Sequence, residues 1–187
     1  MRSFLLALVL IAGSSFNLQS QDSTNLQFQL QAKRISLFNF SYKTGKHSNG
    51  YGLSYFHFPK QNHGGWYFPY SISVENISVK YGSFSQLNFQ SSPLNFFLPG
   101  IHAFRNIGDY LWINIGMQVP ISAEQVSDIY GKVSTHAIIG VAPMQQIFII
   151  PRTPYGLVFG IGFYEKFTNS YVYQDDVGVR AELGLKF

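Results

Sequence analysis

Apolar and polar positions alternate without a break over the last eleven residues. Val177, Val179, Ala181, Leu183, Leu185 and Phe187 fall on one parity, and Gly178, Arg180, Glu182, Gly184 and Lys186 on the other. A period of two is the signature of a strand whose faces meet opposite environments. The same pattern recurs upstream. Leu157, Phe159, Ile161 and Phe163 alternate with Val158, Gly160, Gly162 and Tyr164, and Leu111 through Ile121 alternate with Trp112, Asn114, Gly116, Gln118 and Pro120. Each run is close to the roughly 9–11 residues of a tilted membrane strand. Eight strands are predicted, near residues 34–43, 50–59, 66–82, 93–104, 109–121, 135–150, 155–167 and 175–187.

Turn residues separate these runs at 105–109 and 151–154. Longer polar stretches alternate with them, at 43–49, 83–92, 122–134 and 168–176. The segment 122–134 has room for one helical turn. Short turns at one end and long loops at the other are the layout of bacterial membrane barrels. One segment changes phase: apolar parity is even at Phe68, Tyr70, Ile72 and Val74, and odd at Ile77, Val79 and Tyr81. A β-bulge at Glu75–Asn76 keeps eight strands. A hairpin there, with a further strand at 26–32, makes ten. Because bulges are frequent in barrels, eight is preferred. The fold class expected is all-β, an antiparallel up-and-down transmembrane β-barrel.

Composition agrees with that expectation. Charged residues are 12% of the chain and aromatics 17%, against about 25% charged in an ordinary soluble domain. Such a surface suits lipid better than water. Aromatics at predicted strand ends (Tyr51, Trp66, Tyr67, Phe104, Tyr110, Trp112, Tyr155, Phe167 and Phe187) suit the bilayer interface. There is no cysteine, which excludes disulfides, thiolate metal sites and a lipidated N-terminus. The net charge is +4 with Lys33–Arg34 as the only adjacent basic pair, so nothing points to nucleic acid.

The N-terminus predicts an export signal over residues 1–20, with the barrel over 21–187. Arg2 precedes an apolar run from Phe4 to Ala12, and cleavage after Ser14 or after Ser20 satisfies the small-residue preference. The run is about half of the ~20 residues that a spanning helix needs. The later uncharged stretch 137–151 is interrupted by Gly140, Pro143, Gln145 and Gln146. With no helical route across a membrane, a closed barrel is the remaining solution.

The ending from Gly178 to Phe187 resembles the C-terminal strand of bacterial outer-membrane barrels, and the chain as a pattern is similar to the small barrels of the outer-membrane protein X type. That resemblance implies an outer-membrane location, outer-membrane lipid as surroundings, and recognition of Phe187, Leu185 and Leu183 by the barrel assembly machinery. A protein partner at the extracellular loops is compatible with it.

Candidate chemistry is sparse. Arg180, Glu182 and Lys186 share the polar face of the last strand, and Lys166 on the preceding strand approaches them. They form either a lining for ions or a luminal charge network. An eight-stranded barrel is just filled by its side chains, which favours the network. The five histidines, His47, His57, His63, His102 and His136, lack the close same-face spacing of a metal pair, and no cofactor is implied. His47-Ser48-Asn49 loosely resembles the His-x-Ser-Asn stretch of outer-membrane lipid A deacylases. There the two residues stand two apart on one face, whereas here they are adjacent and in a strand face opposite sides. Three functions remain: a non-enzymatic barrel with structural, adhesive or accessory roles, a lipid A-modifying hydrolase, and a secreted soluble barrel that binds an apolar ligand.

Overall fold

The computed structural model describes residues 35–59, 64–80, 94–127, 130–171 and 174–187. The predicted export signal, the strand proposed at 26–32, His63 and the polar stretch 83–92 lie outside the described residues. Among the described residues no helix is long and apolar enough to cross a membrane.

Ten β segments run in sequence: β1 (Ile35–Gly45), β2 (Ser48–Phe58), β3 (Trp66–Tyr67), β4 (Tyr70–Val79), β5 (Leu94–Asn106), β6 (Leu111–Gln118), β7 (Ile121–Ser127), β8 (Val133–Ile149), β9 (Gly156–Thr168) and β10 (Asp175–Lys186). They build eight barrel strands. β3 and β4 both pair with β5, and the register Trp66↔Arg105 continues in phase to Tyr70↔Ile101. β6 and β7 both pair with β8, in phase from Gln118↔Ala142 to Ile121↔Ile139. Pro69 lies in the first interruption and Pro120 in the second. Proline has no N–H to give to the ladder, so pairing lapses locally while the strand continues. All neighbours are antiparallel. The first and last strands close the ring from Leu37↔Lys186 to Gly45↔Gly178, and the backbones of Ser36 and Phe187 extend the closure with two further hydrogen bonds.

The predicted bulge is absent. β2 and β4 pair in unbroken register from Ser48↔Val79 to His57↔Tyr70. The change of apolar parity has another cause: Ile77 stays in phase with Ser71, Ser73 and Glu75 and points into the lumen, where it is fully buried. Without a hairpin at Glu75–Asn76, the ten-stranded arrangement fails too. Two of the four expected long loops are not loops. The stretch 43–49 is a two-residue turn, Lys46–His47, between paired strands, and most of 122–134 is the β7–β8 hairpin, with no helical turn among the described residues. The Lys46–His47 turn, the β7–β8 hairpin and the β9–β10 connection fall at one end of the barrel, the loop end. Phe187 and the turns at 107–110 and 150–155 lie at the other, the terminus end.

The outer wall is apolar: Phe38, Phe40, Leu53, Ile72, Val74, Ile147, Phe159, Ile161, Phe163 and Leu183 are all exposed there. The opposite parity fills the lumen. Several of its glycines lie against a neighbouring strand's side chain. A Cβ on Gly184 would collide with the Asn39 amide, and one on Gly116 with the His102 ring. Narrow-barrel packing therefore alternates absent and bulky side chains across adjacent strands.

Candidate functional site

The luminal column has two layers. At the terminus end the lumen is closed by aromatic rings. Phe104 packs edge-on against Phe58 at 5.0 Å and Phe56 at 5.6 Å between centroids, and lies 5.3 Å from Phe148. Tyr67 lies 5.5 Å from Trp112 beside them. Alternation delivers these rings inward from β2, β3, β5, β6 and β8. Tyr67, Phe104 and Trp112 were expected at the bilayer interface. They face inward because each shares the parity of buried neighbours on its own or the adjoining strand, and they plug the barrel instead.

Toward the loop end the lumen becomes ionic. Glu75 on β4 pairs with Lys43 on β1, with Arg180 on β10 (Nη1 to Oε1, 2.9 Å) and with Lys166 on β9 (Nζ to Oε2, 3.7 Å). Arg180 Nε also lies 2.8 Å from Glu182 Oε1. Glu182 accepts hydrogen bonds from Asn39 Nδ2 (2.7 Å) and Gln146 Nε2 (2.7 Å), and Gln146 Oε1 accepts from Asn114 Nδ2 (2.8 Å). Just above, Asp176 accepts from Ser48 Oγ, the His47 backbone N–H (2.8 Å) and Tyr164 Oη (3.2 Å). Lys43, Lys166 and Arg180 thus face Glu75, Glu182 and Asp176, three charges of each sign, all buried. Balance of this kind is what a low-dielectric interior requires, since an unpaired buried ion is costly.

Of the four residues expected in one luminal cluster, Arg180 and Glu182 pair directly and Lys166 joins them through Glu75. Lys186 does not belong. It sits at the terminus end and donates to the Pro151 carbonyl at 2.7 Å. It stands four positions along a tilted strand from Glu182, too far for Glu182 to bridge Arg180 and Lys186. Glu75, the hub, stands where the sequence predicts a bulge, and Lys43 and Asp176 stand where predicted strands overlap predicted polar stretches. The missing signal was parity: Lys43 is in phase with Asn39 and Ser41 against Phe38, Phe40 and Tyr42.

Ser48 and His47 do not face a substrate together. Ser48 is fully buried on the luminal face with its hydroxyl directed to Asp176, while His47 occupies the turn. Among the described residues no group of three potential ligands could hold a metal ion.

At the loop end, the β7–β8 hairpin is fastened to the β9–β10 connection. The buried Glu124 carboxylate accepts from Ser170 Oγ at 2.6 Å and from the Tyr171 N–H at 2.7 Å. Asn169 bonds the backbone of Ile139 and Ala137, and the His136 and Tyr171 rings lie 4.5 Å apart. Tyr130, Lys132 and Tyr171 are exposed on this edge.

No protein-family model matches the chain, and no curated protein resembles it in sequence. Solved structures do resemble it in fold. The N-terminal β-barrel domain of Pseudomonas aeruginosa OprF matches with a TM-score of 0.54 at 6% identity, covering 83% of this chain and all of that one. Ail, the attachment invasion locus protein of Yersinia pestis, solved with the heparin analogue sucrose octasulfate, matches with a TM-score of 0.50 at 15% identity over 82% and 97% of the two chains. Neisserial surface protein A matches with a TM-score of 0.50 at 12% identity over 82% and 95%. With its closed ring, apolar wall and filled lumen, this chain has the fold of the eight-stranded membrane-spanning barrels of the bacterial outer membrane.

Proposed function

We propose that the chain is a non-enzymatic outer-membrane protein, closed to solutes, that presents its loop end for recognition in a structural, adhesive or accessory role. Residues 1–20 serve as its export signal, and Leu183, Leu185 and Phe187 as the feature that the barrel assembly machinery reads. The observation that carries this reading is the filled lumen: rings at one end and a balanced ion-pair network at the other leave the barrel a scaffold rather than a channel. The absence of an accessible nucleophile at Ser48 favours a non-enzymatic role over lipid A hydrolysis. The outward apolar parity is the reverse of a soluble ligand-binding barrel. Recognition falls to the loop end because residues on connections held by a rigid scaffold are the usual binding elements, and the Glu124 and Asn169 contacts hold this edge in one shape.

Purified barrel reconstituted into planar lipid bilayers tests the reading. It predicts a silent membrane, without stepwise current at moderate voltage. Reproducible ohmic steps that scale with protein added would show an open lumen and overturn it.

A further inference from the structure

Near the terminus end the outer wall carries a polar inlay on β1 and β2. Ser36 on β1 and Tyr55 and His57 on β2 all have the outward parity. Ser36 Oγ lies 3.0 Å from Tyr55 Oη and 3.2 Å from His57 Nδ1, and Tyr55 Oη lies 3.5 Å from the same nitrogen. The Tyr55 and His57 rings are nearly parallel, at 18°. Polar and ionisable groups directed at lipid are expensive and mark function when present. The mutual bonds satisfy Ser36, Tyr55 and one edge of the imidazole. They do not satisfy Nε2, which has no partner among the described residues.

We propose that Ser36, Tyr55 and His57 form a seat for a glycerophospholipid on the outer wall, deepening the outer-membrane reading on which it rests. If a hydroxyl donates to Nδ1, then Nε2 carries the proton and donates to a phosphate or glycerol-ester oxygen. If Nδ1 carries the proton, Nε2 accepts from an ammonium headgroup. Phosphatidylethanolamine supplies both groups. The surroundings fit the rest of such a lipid. Tyr70, the register partner of His57 on β4, is 75% exposed and adds a phenol at the same level. Phe38 and Leu53, also exposed, continue the wall toward the bilayer centre and offer a bed for acyl chains. Phe187 pairs with Ser36 on the other side, so the seat lies on the seam where the barrel closes. In the outer membrane this end faces the periplasmic leaflet, which is the phospholipid one.

Native mass spectrometry of the full mature barrel in detergent, titrated with phosphatidylethanolamine, tests this. The wild type is expected to hold a discrete single-lipid adduct. His57→Phe, which keeps the wall's bulk, should weaken it about tenfold, the equivalent of one charge-assisted hydrogen bond. Ser36→Ala should weaken it too, because Nδ1 then loses the partner that fixes the ring. Tyr51→Phe, on the outer wall of the same strand at the loop end, should leave it unchanged. Each variant is first checked for folding by its gel shift between boiled and unboiled samples. Should His57→Phe fail that check, Ser36→Ala carries the test. Equal adducts in folded wild type and variants would mean that lipid merely coats the wall, and would overturn the proposal. A wild type without the gel shift would instead strike the barrel reading beneath it.

Discussion

Single residues set the interior. Glu75 holds three cations from three other strands, so replacing it leaves Lys43, Lys166 and Arg180 buried against one another. Breaking a buried pair by removing one partner costs about 3–5 kcal/mol. Glu75→Ala is accordingly expected to lower stability by that order, read as an earlier urea midpoint in detergent or vesicles. Trp112, in the luminal plug, is a suitable fluorescent reporter. A midpoint within error of wild type would mean that the network carries no net stability. The luminal glycines act by absence. Gly184→Val would drive a branched side chain into the Asn39 amide and the neighbouring strand, and overpacking of this kind costs about 1–3 kcal/mol. Serine at the same place should cost less. Much of this interior was legible in advance, since Arg180, Glu182 and Lys166 stand on the inward parity of strands with clear alternation. Glu75 was not, because Ile77 is an apolar residue that faces a partly apolar lumen. Alternation reads as a reversal wherever a luminal position is hydrophobic.

At the scale of elements, β10 and its partners were the most legible because one face is wholly apolar and the other polar or glycine. The aromatic rings were the least legible. Phe104, Trp112 and Tyr67 suit a bilayer interface and a lumen equally well by type, and only their register decides between the two. Strand boundaries at the loop end were missed for a related reason. Polar residues such as Lys43 and Glu124 are compatible with loops, yet here they belong to paired strands whose inner face is polar. The outer wall makes a sharp prediction of its own. Phe159 on β9 is lipid-facing, while its neighbour Val158 faces inward and is fully buried. Ile161→Arg, on the same outward face two positions nearer the middle of β9, should cost about 2–4 kcal/mol when the barrel refolds into vesicles, the range for a basic residue near the bilayer midplane. A negligible effect would mean that this face does not meet lipid. Removing Phe187 should reduce the amount of barrel assembled in cells while sparing refolding in vitro, a split read by comparing surface display with the gel shift of refolded protein. Unchanged display would remove Phe187 from the assembly signal.

At the scale of the molecule, the layers divide the labour. Apolar residues on the outward parity hold the barrel in lipid, inward rings and ion pairs fill it, and the tied hairpins at the loop end face outward from the scaffold. Class and location were readable because they depend on repetition over many residues. The shape of the loop end depends on a few side chains, such as Glu124 and Asn169, whose contacts follow from the fold rather than from alternation. The claim on which everything else stands is that the chain closes into a barrel within the outer membrane. Isolated outer membranes containing the full-length protein, solubilised and run on a gel with and without boiling, test it most directly. The account predicts a band in the outer-membrane fraction that migrates differently unboiled and resists denaturation until heated. A single position under both conditions, with the protein recovered from the soluble periplasm or the medium, would contradict it.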